Sequence, residues 1–487
     1  MPALEEEPRP QPHFLVVTYP AQGHINPARH LAQRLARATG ARVTFSTAVS
    51  ACRKMFGAGA AEAGQEFVDG AGVCHVPYSD GYDDGFDQRV HDSATYMART
   101  RVVGARTLAA VVRGFRAAGR PVTRIVYTML LTWVADVARD NGVPAALYWI
   151  QPAAALAAYL HYFRGTDGVD KAIAAAAVAG DPLASVLVPG LPPLRLLDLP
   201  SFLTVSSDDP FAFVLDTFRS VVDVLNRDDD SPTVLANTSD AMEPEAVASL
   251  RQHGVDIVPV GPVLSFLDAA GAGVAKNGTA ASCNDLFKQD DTGYLEWLDA
   301  QPAGSVVYIS FGSMSTMSRR QIAEVSRGMA ECGRRFLWVL RKDSRGEDDD
   351  DDVAAAAGER GVVVEWCDQV KVLSHPAVGC FVTHCGWNST LEAVACGVPA
   401  VCVPQWSDQT TCAWLVEQLG AGVRATVSGE YDGVPAAGEL VRCIDVATSE
   451  AVRAKAAAWK EKARAAAAVG GSSEKSLREF VGKARAN

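Results

Sequence analysis

The stretch WCDQVKVLSHPAVGCFVTHCGWNSTLEAVACGVPAVCVPQWSDQ, residues 366–409, alternates short apolar runs with one segment of helical spacing. The runs VGCFVTH and PAVCVPQ are typical of buried strands, and CGWNSTLEAVACG between them predicts a helix that ends at Gly397. Strand, helix and strand in this order predict a βαβ unit of a parallel sheet. Ligands of such sheets bind beyond the carboxyl ends of the strands, so the loop HCGWNS is a candidate binding site.

The loop HCGWNS carries the groups that an anion site needs. Gly386 allows the backbone to approach a ligand closely. The free N–H groups at the start of the following helix, together with the helix dipole, favour negative charge. The side chains of His384, Asn388 and Ser389 add hydrogen-bond donors. A phosphate group is therefore the expected ligand.

Two further residues of the stretch suit a nucleoside. Glu392 follows Asn388 by four residues, so it lies one turn further along the same helix face, where its carboxylate can accept hydrogen bonds from a ribose diol. Trp366, at a strand end, offers a flat face for a base. The chain contains neither GxGxxG nor GxxxxGKS/T, so we expect the helix start to hold a bound nucleotide.

The apolar runs on both sides of this stretch repeat the alternation of strand and helix. SVVYISFG, RRFLWVLR and GVVVEW predict strands, and Ser318 with Gln321 predicts a capping box between the first two. Earlier in the chain HFLVV, ARVTFST and AALYW predict strands, with a helix after HFLVV that Asn26 caps and Pro27 begins. The sequence therefore predicts two α/β halves, joined by the glycine-rich segment LDAAGAGVAKNGTAASCN.

His24 lies between the first predicted strand and its helix. A lone histidine in such a place usually has a structural role. A ring with a pKa near neutrality also suits a general base. The residues around it leave both interpretations open.

The composition argues against several functional classes. A net charge of -12 and the lack of a long basic stretch argue against binding to nucleic acid or anionic membranes. No apolar run has the roughly 20 residues of a membrane span, and the first residues lack the apolar region of a signal peptide. The 11 cysteines are scattered without a CxxC pair, which predicts reduced thiols and a cytoplasmic protein.

Over its full length, the stretch 366–409 resembles the signature of the plant family 1 UDP-sugar glycosyltransferases, and GHINP at residues 23–27 is similar to the same family. The resemblance implies an α/β fold of the GT-B type, with two Rossmann-like β/α/β domains facing a central cleft. It implies an acceptor-binding domain over 1–257, a linker over 258–300, a UDP-sugar-binding domain over 301–460, and a C-terminal helix over 461–487 that packs back toward the first domain. The motifs WCDQ and VYT further resemble the branch with anthocyanin 5-O-glucosyltransferases and hormone glucosyltransferases.

The resemblance also implies roles for matching residues. His24 would be the general base that takes the acceptor proton. Trp366 would stack on uracil, and the Cys367 backbone would read the edge of the base. Gln369 and Glu392 would bind the ribose.

The other matching residues would hold the diphosphate and the sugar. The residues implied at the diphosphate are Ser313, His384, Asn388 and Ser389. The residues implied on the sugar side are Gly23, Trp387, Asp408 and Gln409. A tryptophan and a glutamine at those places usually accompany UDP-glucose, although Asp408 alternatively only caps its helix. Trp406 is either a wall of the acceptor pocket or part of the core.

Two positions depart from the family pattern. Many relatives carry an aspartate that orients the catalytic histidine, and Thr128 stands in its place here. A threonine hydroxyl can accept a hydrogen bond from the ring, but it brings no charge, so we expect weaker assistance to His24. A sugar-contacting threonine of the family is replaced by Ile150, and the neighbouring Gln151 is the candidate for its role.

The sequence therefore predicts an inverting enzyme that moves glucose from UDP-glucose to a hydroxyl or carboxylate of a small lipophilic acceptor, such as a flavonoid, another phenolic or a hormone-like acid. We expect no metal, no other cofactor and no nucleic-acid partner, and we expect a monomer. The alternatives are a non-catalytic sugar-nucleotide-binding protein, suggested by Thr128, and a transferase that uses another UDP-sugar. A nucleotide-dependent oxidoreductase is disfavoured because GxGxxG is missing.

Overall fold

The computed structural model describes residues 11–486, except 58–61, 71, 88–89, 206–208, 210–211, 228–230, 265, 268–285, 287–289, 291–292, 343–357, 359, 428–432 and 434. Most of the glycine-rich part of the predicted linker over 258–300 lies outside these described residues.

The first half of the chain forms a sheet of eight strands. Its strands are β1 His13–Val17, β2 Arg42–Ser46, β3 Phe67–Val68, β4 Cys74–His75, β5 Arg124–Thr128, β6 Ala145–Trp149, β9 Thr233–Ala236 and β10 Ile257–Pro259. They lie in the order β10-β9-β6-β5-β1-β2-β4-β3, and β3 runs antiparallel to β4 while the other pairs are parallel. Two further strands, β7 Ser185–Val186 and β8 Leu194–Arg195, form a small antiparallel pair.

The second half forms a parallel sheet of six strands. Its strands are β11 Val306–Ser310, β12 Arg335–Val339, β13 Gly361–Val364, β14 Val378–Thr383, β15 Ala400–Cys402 and β16 Gly422–Arg424. They lie in the order β13-β12-β11-β14-β15-β16. The sequence predicted the first five of these strands. Four of them are apolar and mostly buried, as in a sheet covered on both faces, whereas β13 at the sheet edge is mostly half-buried.

Helices connect the parallel strands and cover both sheets. Those of the first half are α1 Gln22–Thr39, α2 Val49–Phe56, α3 Ser93–Ala117, α4 Trp133–Asp140, α5 Ala153–Arg164, α6 Val169–Ala179, α7 Ala212–Leu225 and α8 Pro244–Gln252. Those of the second half are α9 Tyr294–Asp299, α10 Arg319–Cys332, α11 Gln369–Ser374, α12 Trp387–Cys396, α13 Gln409–Gln418, α14 Ala437–Ala447, α15 Glu450–Ala467 and α16 Ser472–Ala486. The capping box predicted from Ser318 and Gln321 is present at α10.

The start of α1 differs from the prediction. Asn26 and Pro27 were expected at the beginning of the helix, but α1 begins at Gln22, and the extended residue Ala21 precedes it. His24 therefore lies in the first turn of the helix. Pro27 is tolerated inside the helix because its neighbours still fit the helical course, although it supplies no N–H to the Gly23 carbonyl four residues earlier.

The C-terminal part also differs from the prediction of one helix over 461–487. The boundary at residue 460 falls inside α15, and a break at 468–471 separates α15 from α16. Helix α15 packs on α12, and α16 contacts α1 and β10 of the first half. No helix among the described residues is long and apolar enough to cross a membrane.

Candidate active site

The strand order places two crevices at the carboxyl edges of the sheets. In the first sheet the order reverses between β1 and β5, and the chain leaves these strands at Thr18 and after Thr128. In the second sheet it reverses between β11 and β14, where Ser310 lies beside Thr383. Ligands of doubly wound sheets bind at such reversal points, and Ser313 lies in the loop that follows β11.

His384 follows β14 and packs between two glycines. A Cβ atom on Gly312 would lie 2.6 Å from the Nε2 atom of the imidazole, and one on Gly386 would lie 2.5 Å from it. Only residues without side chains fit there, because real contacts to a Cβ atom are longer. Burial lowers the pKa of His384 to about 4, although a hydrogen bond with the Ser310 backbone raises it. The ring is neutral at pH 7, and it lies directly before the first turn of α12.

Three residues predicted to bind the nucleoside or the diphosphate form one hydrogen-bonded group. The Nε2 atom of Gln369 donates to Ser389 Oγ at 2.9 Å and to Glu392 Oε2 at 2.7 Å. The hydroxyl of Tyr308, on β11, donates to Gln369 Oε1 at 3.2 Å. This hydroxyl also lies 3.4 Å from the sulfur of Cys367. The half-buried Trp366 directly precedes that cysteine, so the structure brings the predicted base and ribose residues together.

Asn388 connects the two halves of the molecule. Its Nδ2 atom, in the first turn of α12, donates to the carbonyl oxygen of Gly23 at 2.9 Å, in the first turn of α1. That carbonyl is available because Pro27 has no N–H to offer it. The motif GHINP thus provides the carbonyl oxygen that accepts a hydrogen bond from Asn388 of the second half. This bond brings the starts of α1 and α12 face to face.

His24 stands beside this bridge with a half-buried ring. Its Nδ1 atom is buried and has no hydrogen-bond partner among the described residues. The ring of Tyr19 lies 5.4 Å from it, centroid to centroid. Burial lowers the pKa of His24 to about 4. His24 is therefore a neutral imidazole at pH 7, as a general base must be.

Thr128 does not assist His24 in the way the sequence predicted. Its fully buried hydroxyl accepts a hydrogen bond from the Tyr19 N–H at 3.2 Å and lies 3.5 Å from the Thr18 hydroxyl. Within the described residues no hydrogen bond joins Thr128 to His24. The register of β1 and β5 causes this, because it pairs Val17 with Tyr127 and so puts Thr128 beside the backbone of residues 18–19.

A family model described as UDP-glucoronosyl and UDP-glucosyl transferase matches residues 281–430. The chain is 43% identical to UDP-glycosyltransferase 75C1 of Solanum lycopersicum, over 97% of this chain and 98% of that protein. It is 39% identical to anthocyanidin 3-O-glucoside 5-O-glucosyltransferase 1 of Perilla frutescens, over 96% of this chain and 97% of that protein. The structure of Os79 from O. sativa in complex with UDP has a TM-score of 0.79 and 31% identity, and the match covers 96% of this chain and 100% of that one. The chain belongs to the plant UDP-glycosyltransferase family.

This membership confirms the predicted α/β fold of the GT-B type and the resemblance to the anthocyanin 5-O-glucosyltransferase branch. The protein is a UDP-glucose-dependent glycosyltransferase that transfers glucose to small acceptors. In the described part of the chain no group of three or more histidine, cysteine, aspartate or glutamate side chains is arranged to hold a metal ion.

In this glycosyltransferase the side chain of Trp387, which the resemblance placed at the sugar hydroxyls, makes a hydrogen bond to the first domain. The indole is buried, and its N–H donates to the carbonyl oxygen of Asn237, at the end of β9, at 2.9 Å. The amide oxygen of Asn237 also accepts from the Val263 N–H at 2.9 Å. Trp387 thus joins α12 to the first sheet and to the chain that leaves it.

The side chains of Asp408 and Gln409 lie at the start of α13. Asp408 occupies the N-cap position, but its side chain makes no capping hydrogen bond, so capping is not its role. Burial raises the pKa of its carboxyl to about 6. The Gln409 Oε1 atom accepts from the backbone N–H groups of Gln405 and Trp406, at 2.8 and 3.2 Å. Its oxygen therefore holds the preceding loop, which the sequence did not predict.

Gln151 and Trp406 lie on the surfaces that face each other across the cleft. The Nε2 atom of Gln151, after β6, lies 3.4 Å from the Ser407 hydroxyl, and its buried Oε1 atom has no partner among the described residues. The Trp406 ring lies 5.9 Å from Phe202, with an edge-on geometry, and packs against a core cluster to which both halves contribute. The contact of Gln151 with the donor sugar stays a prediction.

Tyr308 and Asn237 belong to the site, but the sequence reasoning missed both. Tyr308 lies inside a strand, where an apolar run conceals its hydroxyl. Asn237 directly follows β9, so a polar residue at a strand end was the available signal.

Proposed function

We propose that this glycosyltransferase inverts the anomeric centre of glucose and transfers it to an acidic group, a phenolic hydroxyl or a carboxylate, of a small lipophilic acceptor. His24 acts as the general base, and the start of α12 receives the leaving UDP. The observation that supports this arrangement is the hydrogen bond between Asn388 and the Gly23 carbonyl. It puts the candidate base and the candidate anion site on opposite sides of one narrow gap.

The chemistry follows from the charges on each side of the gap. The acceptor oxygen loses its proton to the neutral imidazole of His24 as it attacks the anomeric carbon. The bond from that carbon to the diphosphate breaks, and the departing oxygen gains negative charge. The free N–H groups of α12, with the neutral His384 beside them, stabilise that charge by donating hydrogen bonds. This assignment requires no metal ion.

The preference for acidic acceptors follows from the surroundings of His24. No carboxylate contacts its buried Nδ1 atom among the described residues, so no nearby negative charge stabilises the imidazolium that forms. Such a base suits acceptors that are ionised or easily ionised at neutral pH.

An aromatic surface beside His24 supports a flat acceptor. The Tyr96 ring lies 6.3 Å from Tyr19, and Tyr82 and Phe86 lie 5.1 and 4.3 Å from Tyr96. A surface made of several aromatic rings favours planar aromatic ligands. The relative named as an anthocyanidin glucoside 5-O-glucosyltransferase agrees with a flavonoid-like phenol. A cytoplasmic monomer stays our prediction.

The test is a series of acceptors of similar shape and graded acidity, assayed with UDP-glucose with and without EDTA. We expect log(kcat/KM) to fall as the acceptor pKa rises, β-linked products from the α-linked donor, and no inhibition by EDTA. Proton NMR of the anomeric coupling identifies the product. A preference for aliphatic alcohols, an α-linked product, or activity that requires added Mg²⁺ or Mn²⁺ would each refute one part of the proposal.

A further inference from the structure

A segment of the first domain, residues 194–204, lies across the start of α13 in the second domain. We call it the clasp segment, with the sequence LRLLDLPSFLT. The hydroxyl of Thr410 donates to the Leu199 carbonyl at 2.6 Å, and that of Thr411 donates to the Asp198 carbonyl at 2.8 Å. Both threonines belong to the first turn of α13. The clasp segment thus holds the helix that Asp408 and Gln409 begin.

A buried ion pair anchors the clasp segment. Arg424, on β16, places its NH1 group 2.9 Å from the carboxylate of Asp198, and its NH2 group donates to the Leu197 carbonyl at 2.9 Å. Asp198 is 1% exposed, and Arg195 also donates to its carboxylate. A carboxylate buried to this degree is stable only with such partners. The ion pair therefore holds the clasp segment firmly against the second domain.

The clasp segment also contacts Ser407, a residue of the second domain with an unusual backbone conformation. Ser407 has a φ of 64°, in the left-handed region that residues other than glycine adopt only at an energetic cost. Its N–H donates to the Ser201 hydroxyl at 2.7 Å, and its carbonyl accepts from the Ser201 N–H at 2.9 Å. Gln151, which belongs to the first domain as Ser201 does, contacts the Ser407 side chain. Ser201 and Gln151 of the acceptor domain therefore supply polar contacts to this strained residue, alongside the Thr410 hydroxyl of α13, which donates to its carbonyl at 3.4 Å.

We propose that Ser201 is a positioning residue for sugar recognition: by holding Ser407 in its left-handed conformation across the cleft, it sets Asp408 and Gln409 for the sugar of the donor. This inference rests on the proposed placement of those two residues on the sugar side. Without these contacts from the clasp segment, Ser407 relaxes to an ordinary φ, and the start of α13 moves away from the sugar of the donor. Recognition of the sugar thus depends on contact between the domains. The predicted ribose residues Gln369 and Glu392 instead lie on α11 and α12 and bond to each other within the second domain.

The test compares Ser201→Ala with the wild type. The change removes the hydroxyl that accepts the Ser407 N–H, and it leaves the ion pair of Asp198 and the rest of the clasp segment in place. We expect KM for UDP-glucose to rise roughly tenfold, which is the effect of losing about one partly buried hydrogen bond. The preference for UDP-glucose over UDP-galactose should fall by a similar factor. The inhibition constant of UDP should change less than about twofold, since UDP has no sugar.

Two further variants keep the test decisive. Ser407→Gly combined with Ser201→Ala is expected to recover most of the lost discrimination, because glycine adopts a positive φ without strain. Thr204→Val removes a hydroxyl of the clasp segment that donates to the Ser201 carbonyl and, among the described residues, makes no hydrogen bond across the cleft. This control should behave as the wild type.

Three results would overturn the inference. They are an unchanged sugar preference in a folded Ser201→Ala variant, an equal loss of UDP affinity, and a double variant that fails to recover while its melting temperature matches the wild type. A wild type that does not prefer UDP-glucose would instead refute the proposed placement of Asp408 and Gln409. The two failures are therefore distinguishable.

Discussion

The two edges that face the cleft are built in different ways. The donor edge comes mainly from one continuous stretch, 366–409, whose side chains bond to one another, as Gln369 does to Ser389 and Glu392. The acceptor edge comes from strand ends far apart in the chain. There His24 has a single aromatic neighbour and a buried ring nitrogen without a partner among the described residues.

This difference follows from what each edge must bind. UDP is the same in every turnover, so donors and acceptors that are held in place before binding lower the entropy lost on binding. In the proposed mechanism the acceptor itself covers the ring of His24 and supplies the group that the ring must contact. An edge with few internal hydrogen bonds leaves the ring free to make that contact.

The largest expected effect is on the acceptor edge. His24→Ala should lower kcat/KM with a phenol by roughly 10²–10⁴-fold, the usual contribution of a positioned base, while the affinity for UDP stays the same. In the wild type, activity needs the unprotonated ring, so it should fall as the pH drops through the pKa of His24. Burial lowers that pKa from 6.5 to about 4, which predicts an acid limb of kcat/KM well below 6.5.

The matched control is His375→Ala, which removes a histidine before β14, at the amino edge of the second sheet and far from the cleft. Its kcat/KM should match the wild type. Near-normal turnover of the His24→Ala variant with a weakly acidic phenol would show that another group is the base.

A smaller effect is expected on the donor edge. In Gly386→Ala the new Cβ atom would lie 2.5 Å from the His384 ring, so the ring must move by about an ångström. A displacement of that size should raise KM for UDP-glucose and the inhibition constant of UDP by up to about 10²-fold. Product inhibition and titration calorimetry measure both quantities.

Gly438→Ala, on α14, serves as the comparison because a Cβ atom there meets nothing within 4 Å. If Gly386→Ala leaves UDP binding unchanged, the close packing of His384 is not needed for the anion site. The donor edge would then be less rigid than its hydrogen bonds indicate.

The smallest effect is expected at Thr128. Thr128→Val keeps the shape but removes the acceptor of the Tyr19 N–H, which should lower the free energy of unfolding by about 1 kcal/mol. The effect on kcat/KM should stay below roughly tenfold, because Thr128 reaches His24 only through Tyr19. Urea unfolding and steady-state kinetics test both statements. A kinetic loss as large as that of His24→Ala would restore a direct role for the hydroxyl.

The sequence alone determined the structural elements that depend on residues close together along the chain. Strands β1, β2, β6 and β11 to β15, the helix of HCGWNS with its closure at Gly397, and the capping box at α10 were predicted, whereas the short strands β9, β10 and β16 were not. Helical spacing, caps and apolar runs are local properties, so they can be read along the chain. The family and the UDP-glucose donor were predicted from the same contiguous stretch and are confirmed.

Only the tertiary structure decided which separated residues meet. The sequence put Thr128 beside His24, but the register of β1 and β5 puts it beside the Tyr19 backbone. No residue pattern indicated that Trp387 would bond to the Asn237 carbonyl or that Asn388 would bond to the Gly23 carbonyl. Those contacts join elements more than 100 residues apart, so they depend on how the two sheets pack together. No local pattern encodes that packing.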